Sequence, residues 1–139
     1  MVHALKEAWR VLAPRGVMID LRPLCLAASV DILFNEQKEF AGMADMSPDI
    51  DNEIAADQAI NIMLSEGFYQ DLSVDRFEIA YYWDTVRGMM ADMRNRWKGD
   101  VIIEESVIRR AYELFRKHRG RKKVRFMLQE KLSKYEKQA

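Results

Sequence analysis

An α/β layer fold, a small sheet carrying helices, is predicted by two observations. The stretch "VMIDL", Val17 to Leu21, is too short and too apolar for a free surface helix, and it directly follows an amphipathic one. The apolar patterns then run in the order helix, strand, long helix, one or two strands, two helices and strand, which suits a layered sheet better than a bundle.

Each element has its own signal. Leu5, Ala8, Trp9 and Leu12 mark one face of the first helix, Pro14 ends it, and Arg15 and Gly16 turn the chain into "VMIDL". Asp20 interrupts that strand near its carboxyl end, and Pro23 stops simple extension because it lacks a ladder donor. "LCLAASVDILF" reads as either an apolar loop or a short strand. The long helix starts at a Ser47 cap, with Pro48 in the first position and Asp49 and Asp51 favouring its amino end; Gly67 stops it. Ile54, Ala55, Ala59, Ile62 and Met63 line the face expected to pack. Phe68 opens a strand-like segment, "FYQDLSV", and "RFEIAYYW" is a second strand or an extended approach to a helix. Val86, Met89, Met90, Met93 and Trp97 recur at helical spacing as a core or subunit contact, the flexible thioethers filling irregular gaps. Val107, Ile108, Ala111, Leu114 and Phe115 mark the next helix, and "VRFML" is the last strand candidate, with polar residues beyond it.

Composition narrows the class. At 139 residues one core is expected, so residues 1–139 are read as a single domain, and 49% apolar with 32% charged residues argues against disorder. No run of about 18 uncharged apolar residues suggests a membrane span, and Lys6, Glu7 and Arg10 interrupt any signal-like start. Cys25 is the only cysteine, which excludes an internal disulfide and points to a reducing cytoplasm; without a nearby base it reads as a buried residue, not a nucleophile. His3 and His118 are the only histidines, too few for a histidine-rich metal cluster, and His118 among Arg116, Lys117, Arg119 and Arg121 reads as a surface residue.

Net charge is zero, yet residues 36–75 hold ten acidic side chains against one basic, and residues 116–139 hold ten basic against two acidic. These are expected to be solvated helix faces and a polar tail, the alternative being that the basic end packs on the acidic region within or between subunits. The basic run carries no recognisable nucleic-acid-binding fold, which argues against that class of partner.

"LKEAWRVLAPRGVMIDLRP" resembles the helix and fifth strand of class I S-adenosylmethionine-dependent methyltransferases, in which an "E..RVL.PGG" segment leads into an apolar strand. The matching residues are Glu7, Arg10, Val11, Leu12, Pro14 and Gly16, with Arg15 in place of the first glycine. "EGFYQ", Glu66 to Gln70, is similar to the start of the sixth strand; "YYWDTVRGMMADMRNRW", Tyr81 to Trp97, to the helical insertion before the last strand; and "KKVRFML", Lys122 to Leu128, to the seventh strand.

The resemblance implies a partial Rossmann-like methyltransferase sheet with flanking helices and a helical insertion over residues 84–119. It also implies that the cofactor-binding half, with its Gly-rich loop, is not supplied by these residues: no "GxGxG" is present, and Gly16 precedes a strand instead of following one. The expected function is then that of the acceptor-facing half of a methyltransferase, inactive as an isolated chain, with S-adenosylmethionine bound only when an upstream half or complementing partner is present. A truncated reading frame gives the same expectation. The alternative is a non-catalytic dimerising or protein-interaction module.

On either reading the Val17–Leu21 strand lies at an edge, which proteins cover or pair, so a homodimer or a complementing domain is expected there. Candidate acceptor-side residues are Asp20 and Arg22 at the carboxyl end of that strand, and Tyr81, Tyr82, Trp83 and Arg87 as an aromatic wall leading into the insertion. Each has a plainer role beside it, a salt bridge for Asp20 and Arg22 and ordinary packing for the aromatics, and no residue is assigned as a catalyst.

Overall fold

The structure is a computed structural model that describes residues 1–139. Its elements are α1 (Val2–Val11), β1 (Val17–Pro23), β2 (Ala28–Phe34), β3 (Gln37–Ala44), a 3-10 turn (Ser47–Asp49), α2 (Ile50–Ser65), β4 (Tyr69–Trp83), α3 (Val86–Arg96), α4 (Glu105–Lys117) and β5 (Lys122–Lys137). Helices and a sheet are both present, as the α/β expectation requires. The Rossmann-like form of that expectation fits poorly, because the five-stranded sheet is antiparallel. Two residues suffice to reverse the chain between β2 and β3, whereas parallel neighbours need a crossover of a dozen or more. β5 in turn runs antiparallel to both β1 and β2, and also pairs with β4.

The chain forms two compact units. The first comprises residues 1–24, 50–77 and 130–139. Here α1 stops before Pro14, and Arg15 takes a positive φ of 59°. Gly16 closes the turn, its amide donating to the Ala13 carbonyl at 2.8 Å; a Cβ on Gly16 would meet the same oxygen at 2.8 Å, so the turn requires glycine. β1 then pairs with the end of β5 from Val17↔Glu136 to Pro23↔Glu130. The alternation of a strand sends Met18 inward, toward Ile60, Met63, Tyr69 and Tyr135, with Leu5, Trp9, Leu12 and Phe68 packed around them. Trp9 meets Phe68 edge-on at 5.3 Å and donates its indole N–H to the Gln138 carbonyl at 3.3 Å. The buried face of α2 is Ala56, Ala59, Ile60 and Met63, while Ile54 and Ile62 of the expected face are exposed. Apolar residues occur all round this helix, so periodicity alone does not select the side that packs.

The second unit comprises residues 25–49 and 78–129. The ambiguous segment after Pro23 becomes the β2–β3 hairpin, turning at Asn35 and Glu36, whose φ values of 46° and 63° give the left-handed two-residue turn that suits strand twist. A bulge opposite Val30 and Asp31 sets the register of the hairpin beyond it. Val30, Ile32, Val124, Phe126 and Leu128 meet Val86, Met89 and Met93 of α3 and Ala111 and Leu114 of α4 in one core. The methionine spacing is therefore a packing face. Thr85 caps α3, its hydroxyl accepting from the Gly88 amide at 2.9 Å. α4 lies close to β3 at Gly42, where a Cβ would come within 2.5 Å of Val107 Cγ2.

Candidate functional site

β1 places alternate side chains on opposite faces, and that alternation divides its chemistry. Asp20 and Arg22 lie on the face shared with Ser133 and Lys131, opposite them in the β5 ladder. The Arg22 guanidinium is held on all three nitrogens: its Nε donates to both Asp20 carboxylate oxygens at 3.0 and 2.9 Å, Nη2 donates to Asp57 Oδ1 at 2.7 Å, and Nη1 donates to the Glu53 carbonyl at 3.3 Å. Lys131 donates to the same Asp57 oxygen at 2.9 Å. This network of four side chains and the Glu53 carbonyl ties β1, α2 and β5 together, and it joins the basic carboxyl end to the acidic region 36–75, as Lys117 and His118 do with Glu39 at 3.1 and 3.0 Å.

Burial opposes the Asp57 charge, but hydrogen bonds from Lys131 and Arg22 outweigh it and hold the carboxyl below the ordinary aspartate range. Burial likewise opposes the Arg22 charge, and the Asp57 and Asp20 carboxylates overcome it, keeping the guanidinium above its ordinary value. Such a carboxylate is a weak base, and such an arginine is held by protein acceptors rather than aimed at a substrate. Because the Asp57 pKa is lowered on folding, its contribution to stability is present above the unfolded value and lost as pH falls through the folded one. The Asp57→Asn variant is expected to be less stable than the parent by about 1 kcal/mol at pH 7, a modest figure because the Asp57 side chain is 46% exposed. That difference should begin to close below about pH 4, the ordinary aspartate range, and go on shrinking as pH falls through the lowered folded value. Urea unfolding at both pH values measures it, and an equal deficit at pH 3 would show that the carboxylate charge is not responsible.

Beside the network a cleft of about 310 Å³ is lined by Asp57, Asp71, Arg76 and Lys131 with Ile60, Leu64 and Tyr135. Its charges are balanced. Buried Glu130, at the end of the β1 ladder, has its carboxyl pushed up by burial, and burial also raises the Tyr69 hydroxyl, which donates to the Leu5 carbonyl at 3.1 Å.

The aromatic candidates lie in the second unit. Tyr81 stacks on Trp83 at 6.3 Å and meets Trp97 edge-on at 5.4 Å, while the Trp83 indole N–H donates to Asp92 at 2.8 Å. This is an aromatic cluster joined to α3 through Asp92 and Trp97, with Tyr81 at its exposed side. Tyr82 points away from it, 52% exposed, and lines a separate cavity with Phe34 and the basic start of β5. Arg87 is exposed on the first turn of α3. Asp20 and Arg22 therefore act together, Tyr81 and Trp83 act together, and Tyr82 belongs to neither group. Sequence reasoning did not single out Asp57 and Lys131, whose link to Arg22 depends on folding. No three His, Cys, Asp or Glu side chains converge on a point that would hold a metal ion, and no helix is long and apolar enough to cross a membrane.

The opposite face of β1 is bare. Val17, Ile19 and Leu21 are 45%, 60% and 52% exposed, and β5 is the strand's one hydrogen-bonded neighbour, which leaves its other edge unpaired. Comparison of the chain with protein-family models, curated proteins and solved structures finds no match.

Proposed function

We propose that the chain is the acceptor-facing half of a methyltransferase-like sheet, completed by a cofactor-binding half that pairs with the free edge of β1. The bare apolar face and open edge of β1 carry this reading, since an exposed apolar strand edge is a template that proteins normally cover or extend. Two further features support it. A helix, turn and strand run from Glu7 to Leu21, and the segments compared with the fifth, sixth and seventh strands fall in β1, β4 and β5, where β1 and β4 share β5 as a neighbour.

The chain's own residues do not fit S-adenosylmethionine. Gly16 is consumed by a helix-to-strand turn, and no glycine-rich loop runs from a strand into a helix. The cofactor is accordingly assigned to the complementing half, and this chain supplies sheet, insertion and acceptor-side surface, where exposed Tyr82 and Arg87 are the residues to test, while Asp20 and Arg22 brace β1 and Tyr81 and Trp83 pack together. The same bare stripe also favours a second reading, a non-catalytic module in which two copies of β1 pair with each other about a twofold axis.

Calorimetry on the purified chain should give no heat with S-adenosylmethionine. Coexpressed with the polypeptide encoded immediately upstream, it should copurify as a pair that binds the cofactor, and Ile19→Lys should abolish the pairing. Cofactor binding by the chain alone, or an upstream polypeptide that neither copurifies nor binds, would overturn the proposal. Concentration-dependent dimerisation of the chain alone, lost in Ile19→Lys, would favour the second reading.

A further inference from the structure

The second unit holds a cavity of about 510 Å³ between the β2–β3 turn, the end of β4 and the start of β5. That volume lies in the ordinary range for small-molecule sites, roughly 300–1,000 Å³. Its lining differs in kind from the charge-balanced cleft of the first unit. Lys38, Arg121, Lys122, Lys123 and Arg125 face one acidic residue, Glu36.

Three of these cations are already committed. Lys122 donates to the carbonyls of Phe115 and His118, Lys123 to Asp84 at 2.7 Å, and Arg125 to Asp31 at 2.8 Å. They are held by protein acceptors, and Asp84 and Asp31 neutralise Lys123 and Arg125, so of the three only Lys122, bonded to neutral carbonyls, adds net positive charge. The side chains of Lys38 and Arg121 make no hydrogen bond or close ion pair, so their donors are open to a ligand, although the Arg121 charge also acts on nearby Asp84. Two aromatic rings complete the wall. Phe34 is fixed by stacking on His118 at 3.4 Å, with that histidine held by Glu39 at 3.0 Å, whereas Tyr82 is half exposed and has no ring partner. The left-handed turn at Asn35 and Glu36 gives the rim a defined shape.

We infer that this cavity binds a small aromatic anion of the nucleotide type, its planar ring against Tyr82 and its phosphate at Lys38 and Arg121. A cationic pocket without aromatic rings would suit any phosphate, and an aromatic one without free cations would suit a neutral ring. Stacking on an aromatic side chain and charge-assisted hydrogen bonds from a guanidinium are the two recognition terms present, and a nucleotide satisfies both. The assignment shares Tyr82 with the acceptor-side residues of the methyltransferase reading but does not rest on it, because Phe34, Lys38 and Arg121 lie outside that set.

The test uses the full chain, labelled with nitrogen-15 and titrated with AMP, adenosine and inorganic phosphate while amide shifts are followed. AMP should shift residues 33–38, 82 and 121–125 and bind at least tenfold more tightly than adenosine or phosphate. Tyr82→Ala should weaken AMP about tenfold and leave phosphate unaffected, and Lys38→Glu with Arg121→Glu should abolish AMP and phosphate binding while sparing adenosine. All three positions are on the surface, so unchanged amide spectra elsewhere will show that the variants fold. Absence of shifts at millimolar AMP, or equal binding of AMP and phosphate that ignores Tyr82, would overturn the inference. Tighter binding of a ten-nucleotide single-stranded RNA than of AMP at these residues would also overturn it, and would assign the surface to nucleic acid instead.

Discussion

Phe126→Ala is expected to destabilise the second unit by about 3–5 kcal/mol, the usual range for emptying a buried aromatic site. Phe126 is fully buried in β5, among residues of β2, α3 and α4, and its ring meets Trp97 edge-on at 5.5 Å. Removing it forfeits transfer energy, leaves a void that strands on one side and helices on the other cannot readily close, and breaks an aromatic pair worth about 0.5–1.5 kcal/mol. Phe126→Leu keeps most of the volume and should cost about half as much. Urea unfolding followed by tryptophan fluorescence measures both, since Trp97 reports on the same contact. A loss under 1 kcal/mol for the alanine variant would mean that this core is not packed as described.

Asp31→Ala should be of comparable size, about 3–5 kcal/mol, for a different reason. Asp31 is 3% exposed, and its carboxylate accepts from Arg125 Nε at 3.2 Å, Arg125 Nη2 at 2.8 Å and the Ser29 hydroxyl at 3.1 Å. Deleting one partner of a buried ion pair strands the other, and the cost is mainly that of an uncompensated guanidinium. The double variant Asp31→Leu with Arg125→Met removes both charges, and its stability is expected to return to within about 1 kcal/mol of the parent. If the double variant is as unstable as Asp31→Ala, the loss lies in local packing and not in the stranded charge. Arg125 also borders the basic cavity, so the double variant additionally measures how far a committed cation raises anion affinity there.

Much of the local structure was legible because it rests on neighbouring residues. Pro14 and Gly16 end α1 and launch β1, the Ser47–Pro48 pair opens the turn before α2, and the methionine spacing marks the buried side of α3. Features that depend on distant residues were not legible. β3 was not assigned from the sequence: its large apolar residues Phe40 and Met43 are exposed while Ala41 and Ala44 are buried, so its inward face is carried by small residues that give little pattern. β5 continues nine residues past "VRFML" because Lys131, Ser133 and Tyr135 face inward while charged neighbours alternate outward. The polar tail is thus a strand, and the antiparallel sheet follows from pairings no local motif encodes. At the site, Asp20 and Arg22 were readable as a salt-bridge pair, but nothing adjacent in the chain selects Asp57 and Lys131 as their partners. The basic "KHRGRKK" turn was read as surface, and its cavity exists only once the β2–β3 turn brings Phe34 and Lys38 to it.

The placement of β5 has a consequence for biosynthesis. β1, β2 and β4 all use this last strand as a neighbour, and residues 17–23 pair with residues 130–136, more than a hundred positions later. At roughly 5–20 residues per second, a ribosome finishes β1 about 5–20 s before its ladder partner exists. During that interval the β2–β3 hairpin is the one strand pair that can close, and Val17, Ile19 and Leu21 travel with both edges of their strand open. Completion of the sheet therefore waits for β5 to be made, and until then β1 has no ladder partner.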